Sequence, residues 1–88
     1  MPIRTDIEIG DVIEVTGTLH EVPAINMPSK AVIPDGASGQ VHAVNHNFEK
    51  DETLLATDIP MGGIFNGALW LIPAEAAVVK IRRDDVGR

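Results

Sequence analysis

Six prolines and three turn clusters, Pro34-Asp35-Gly36, Pro60-Met61-Gly62-Gly63 and Asn66-Gly67, divide this 88-residue chain into short pieces. Proline removes a backbone donor and clashes with the preceding helical turn, and glycine weakens both helices and strands from within. No helix of three turns is visible in the pattern. What remains is a chain of short strands, because four to eight apolar or alternating residues bounded by turn residues is the strand signature.

The segment Ile3 to Ile9, IRTDIEI, places Ile3, Thr5, Ile7 and Ile9 on one side and Arg4, Asp6 and Glu8 on the other. That period of two predicts an N-terminal strand or arm over 3–9. Gly10-Asp11 turns the chain into VIEVTGTL, with Gly17 marking a bulge or bend. Residues Glu21 to Lys30, with two prolines and no period, read as a loop. Short strands follow at AVI (31–33), GQVHAV (39–44) and TLLATDI (53–59). In the second of these, Val41 and Ala43 share one face and His42 and Val44 the other. Asn66-Gly67 is the strongest two-residue hairpin signal, joining IF to ALWLI. Pro73 opens one helical turn, VVKI (78–81) closes the fold, and 82–88 is expected to be a flexible tail. The expectation is one all-β domain over residues 1–88, with five to seven short antiparallel strands closed into a small barrel.

Eighty-eight residues hold one core and no second domain. Cysteine is absent, which removes disulfides, thiolate metal sites and thiol nucleophiles together. Thirteen Asp and Glu against seven Lys and Arg give a net charge of −6. A nucleic-acid binder gathers positive charge to displace counterions from phosphate, so nucleic-acid and anionic-membrane partners are disfavoured. No leader-like apolar run opens the sequence, and no window approaches the roughly 18 apolar residues of a spanning helix. The default reading is a soluble, cytoplasmic protein.

Three parts of the chain resemble the small SH3-like barrels of the electron-transport-accessory type. They are the early GDVIEV, the DGASGQVHAV that follows a long irregular loop, and the closing LWLIPAEAAVVKI. This family includes the ferredoxin–thioredoxin reductase variable chain, the nitrile hydratase β subunit and the plasmid-encoded type B dihydrofolate reductases. The resemblance spans about residues 9 to 81 and implies an accessory subunit or a homo-oligomer. The reductases carry a Val-Gln-Ile-Tyr run in the late strand. Leu69-Trp70-Leu71-Ile72 stands nearest to it here, without the amide or the phenol, so no catalytic residue is carried over.

Candidate sites are sparse. His42 and His46 lie four residues apart, about 13 Å along a strand, too far to share one ion. No metal site and no cofactor are assigned. The acids Glu49, Asp51, Glu52 and Asp58 lack the alternating ligand pattern of a calcium loop and read as solvated turn charges. Gly36-Ala37-Ser38-Gly39 is one residue short of a nucleophile elbow and reads as a tight turn.

The remaining feature is GALWLIPAEAAVV, apolar on both sides of its strand. Ala68, Trp70 and Ile72 share one face, Leu69 and Leu71 the other. One small barrel cannot bury both, and exposed contiguous apolar surface marks an interface. The sequence therefore predicts a subunit contact formed by Phe65, Ala68, Trp70 and Ile72. The loop residues His20, Asn26, His42, His46 and Asn47 are left to meet a small ligand or a protein partner. The function expected is a non-catalytic, self-associating binding or accessory module. The alternatives are a small oligomeric enzyme with its site between subunits, or a sensor of small ligands or metal using the histidines.

Overall fold

A computed structural model describes residues 4–87. Seven strands form two antiparallel sheets: β1 (Val12–Val15), β2 (Leu19–Pro23), β3 (Lys30–Ile33), β4 (Ser38–Asn47), β5 (Glu52–Asp58), β6 (Leu69–Pro73) and β7 (Ala77–Ile81). Five make one sheet in the order β6-β5-β4-β1-β7, and β2 pairs with β3 as a separate two-stranded ribbon. Only 3-10 turns interrupt the strands among the described residues: Gly63–Phe65, Ala74–Ala76 behind Pro73, and Arg83–Asp85. The all-β expectation holds.

The core collects the inward residues of every layer. Ile13 and Val15 from β1, Val22 and Ile33 from the ribbon, Val41 and Leu55 from the central strands, and Trp70 and Ile72 from β6 are all buried. Ile7 joins them from the N-terminal segment. That segment is not a strand. Ile7 is buried while Ile9 is 57% exposed, so the expected shared face is broken; Ile3 lies outside the described residues. Residues 4–9 form an arm held by contacts of its own. The Arg4 amide donates to Thr53 Oγ1 at 3.0 Å, and Arg4 Nη1 donates to the Ala74 carbonyl at 2.8 Å.

The expected 12–19 strand is in fact two. Gly17, at φ 82°, turns the chain out of the main sheet into the ribbon, and its amide donates to Asp35 Oδ1 at 2.8 Å. The ribbon occupies much of what the sequence marked as an irregular loop. Its β2 bulges, since Leu19 faces Ile33 while Val22 faces Ala31, leaving one extra residue on β2. A second bulge between Val41 and Ala43 overturns the expected facing of β4. Val41 pairs with Thr57, Ala43 with Ala56 and Val44 with Leu55, so Val41 and Val44 point inward and Ala43 outward.

The Asn66-Gly67 hairpin does not form. β5 pairs directly with β6, from Asp58↔Leu69 to Leu54↔Pro73. The 3-10 turn at Gly63–Phe65 occupies the place of the incoming strand, and Asn66-Gly67 forms a tight turn from it into β6, closed by the Ala68 amide on the Phe65 carbonyl at 3.0 Å. Pro60 and the paired glycines Gly62-Gly63 upstream had more say than the hairpin dipeptide.

The C-terminal segment, expected as a flexible tail, is anchored through its first residues. Asp11 is fully buried and accepts three hydrogen bonds: the Arg83 amide at 2.7 Å on Oδ1, and the Glu8 amide at 2.9 Å and Arg82 Nη1 at 3.3 Å on Oδ2. Arg82 Nη1 also donates to the Asp6 carbonyl. Chain start, Gly-Asp turn and chain end are thus tied at one carboxylate.

Candidate functional site: an apolar groove between ribbon and sheet

The site begins with the alternation along β6. Side chains of paired residues project to the same side of a sheet. Leu55 with Ile72 and Thr57 with Trp70 project into the core. Leu54 with Pro73, Ala56 with Leu71, and Asp58 with Leu69 project outward. The expected subunit contact is corrected here: Ala68, Trp70 and Ile72 have no exposed surface at all. Phe65 packs on the same core, its ring edge-on to Trp70 at 5.4 Å. The physical reason is volume. An indole fills the interior that β5 and β6 enclose, whereas a pair of leucines tolerates partial exposure. Trp70 meets no hydrogen-bond partner at Nε1 among the described residues, so its indole is held by packing.

The outward leucines are covered in part by the chain itself. Ala24 bridges to Trp70 at the edge of β6, and the Ile25 amide donates to the Leu69 carbonyl at 2.9 Å. Asn26 fastens this join from both sides. Its Nδ2 donates to the Gly67 carbonyl at 2.9 Å, and its Oδ1 accepts the Leu69 amide at 2.9 Å. Between the ribbon and the outer face of β5 and β6 lies an open groove of about 230 Å³, with Leu19, Val22, Pro23, Leu54, Leu71 and Pro73 as its apolar wall. His20 and Glu21 stand on its ribbon side.

The β2 bulge explains the exposure of those two neighbours. An extra residue re-aims side chains that would otherwise alternate, so His20 and Glu21 are both exposed. Glu21 adopts φ 51°, a left-handed conformation that costs a residue with a side chain about 1–2 kcal/mol. Glu52 lies two residues before Leu54 on the same outward side of β5, opposite Asn47. Glu21 and Glu52 therefore place carboxylates near the apolar wall on both strands, with His20 beside Glu21.

Of the loop residues singled out in the sequence, only His20 borders this groove. Asn26 is engaged in the clamp just described. His42 is exposed on the bulge, its Nε2 4.0 Å from Asp58 Oδ2. His46 projects to the core side of β4, Nδ1 3.0 Å from Thr53 Oγ1, with its ring 5.9 Å from that of Phe48. Asn47 caps the β4–β5 turn, its Oδ1 accepting the Lys50 amide at 3.1 Å. The bulge sends His42 and His46 to opposite sides of the strand, so they do not converge. No group of three or more His, Asp or Glu is arranged around a common point among the described residues.

One shifted carboxyl lies away from the groove. The hydrogen bonds from Arg4 Nε at 2.9 Å and Nη2 at 2.7 Å hold the Asp6 carboxyl down to about 2. Burial opposes this, and the Arg4 and Arg82 charges add smaller contributions in the same sense as the hydrogen bonds. The same pairing raises the Arg4 guanidinium. This fork pins the arm and does no evident chemistry.

The sequence reading missed the groove because it assigned Leu69 and Leu71 to the core. A signal was available: of two alternating sets on one strand, the set holding tryptophan has the greater claim on the interior. No helix among the described residues is long and apolar enough to cross a membrane. Comparison with protein-family models, with curated proteins and with solved structures found no match.

Proposed function

We propose that this chain is a non-catalytic binding or accessory module built on a small SH3-like barrel, with the groove between ribbon and sheet as its working surface. The order of parts supports the barrel. The GDVIEV strand sits between β4 and β7, the long excursion after it is a ribbon, and a Pro-led 3-10 turn precedes the closing strand. The observation that carries the function is the groove itself, an open apolar wall on the outer face of β5 and β6. Apolar concavities with a few polar groups at their margin are the usual place where soluble domains meet a ligand or a partner. Self-association loses the surface on which it was expected, since that surface is core, and the module reading does not depend on it.

The test is a titration with isopropanol, a small apolar probe, followed by amide chemical shifts. Shifts concentrated at Leu19, Leu54 and Leu71 are expected. Shifts scattered evenly over the molecule would remove the groove as a working surface.

A further inference from the structure

Resting on the reading of the groove as a working surface, we infer that its occupant is an extended segment of a partner protein in which apolar side chains alternate with or adjoin lysine or arginine. The first argument is size. A volume of about 230 Å³, open along its length, is smaller than the ~300–1,000 Å³ that encloses a small molecule or cofactor. It suits one or two side chains of a peptide laid across the surface.

The second argument is charge. The polar residues that line it are His20 and Glu21 on the ribbon, Glu52 lies two residues along β5 from Leu54, and no lysine or arginine among the described residues lines it. Lys30, the strand partner of Pro23, does not line the groove but a neighbouring depression that also shares Glu21. A chain of net charge −6 that presents carboxylates beside an apolar wall attracts cations and repels acids.

The same charges oppose a second copy of this chain. It brings its own −6, and three of its six described cations, Arg4, Arg82 and Arg83, are already paired with Asp6, Asp11 and Glu8. The third argument is the strain at Glu21. A left-handed glutamate in a bulge, where glycine sits without cost, is a local expense that the fold does not need. Presentation of that carboxylate beside the wall accounts for it.

The experiment is selection of a random peptide library displayed on phage against the full chain at low salt, then amide shift mapping with the best synthetic peptide. Enriched peptides should combine Lys or Arg with large apolar residues and shift Leu19, Leu54 and Leu71. The pair Glu21→Gln and Glu52→Gln, both at solvated positions, should weaken binding about tenfold, with the difference shrinking as salt is raised. Neutral or acidic peptides that map to the groove would overturn the basic partner and leave the binding module standing. Absence of enrichment, or shifts elsewhere, would overturn both. Groove shifts that move with protein concentration alone, together with a dimer by light scattering, would identify the occupant as a second copy and overturn the inference.

Discussion

Asp11 does more for this molecule than any other polar side chain described. It is fully buried and satisfies two backbone amides and a guanidinium. Removing an acceptor from buried or half-buried donors costs about 1–3 kcal/mol per group. Asp11→Ala is expected to lower stability by about 2–4 kcal/mol in urea unfolding, and Asp11→Asn by less, since one oxygen remains. Glu21 gives the opposite sign. Glu21→Gly relieves the left-handed strain and should leave stability unchanged or raise it by up to about 1 kcal/mol, whereas β-branched Glu21→Val should cost about 2 kcal/mol.

Asp6 supplies the pH dependence at this scale. Its folded pKa, about 2, lies below its ordinary 3.8, so the ionised form is favoured by folding. The resulting stability is fully present above about pH 4 and is lost as pH falls through about 2. Asp6 is half exposed, so the effect is small and screened by salt. In Asp6→Asn the slope of stability against pH should flatten in that window, measured by unfolding at stepped pH.

At the scale of elements, the close approach of β4 to the end of β5 depends on Gly39. A Cβ there collides with the Asp58 carbonyl oxygen and stands 3.0 Å from Ile59 Cα, both rigid parts of the fold. Gly39→Ala should separate the strands and cost on the order of 3 kcal/mol or more, seen as a fall in the melting temperature. This explains Gly36-Ala37-Ser38-Gly39 without any nucleophile: the turn delivers a glycine to a crossing too tight for a side chain. The strands themselves were legible, because alternation and turn residues are local properties. The two bulges were not. An extra residue in β2 or β4 changes no local preference, yet it reverses which neighbours face the core. The facing of Ala43 and Val44 and the joint exposure of His20 and Glu21 follow from them.

At the scale of the whole molecule, one tryptophan joins the sheet to the ribbon. Trp70 is fully buried, pairs with Thr57 on β5 and bridges to Ala24 beyond the ribbon. Trp70→Ala should cost about 3–5 kcal/mol and unfold a domain of this size rather than release a subunit. In the native chain its fluorescence should be blue-shifted and resistant to quenching by acrylamide, and both properties should vanish at the unfolding midpoint.

The pattern of breaks and alternation determined by itself that this chain is all-β, with short strands and a Pro-led turn before the last of them. That conclusion needs only local sequence. The tertiary structure alone decided which face of Leu69-Trp70-Leu71-Ile72 is core. The two sets of side chains are equally apolar, and the choice turns on the volume enclosed by strands distant in sequence. The groove has the same origin. Its walls come from Leu19 to Pro23, Leu54, Leu71 and Pro73, and only the pairing of β5 with β6 and the folding of the ribbon across them bring these residues together.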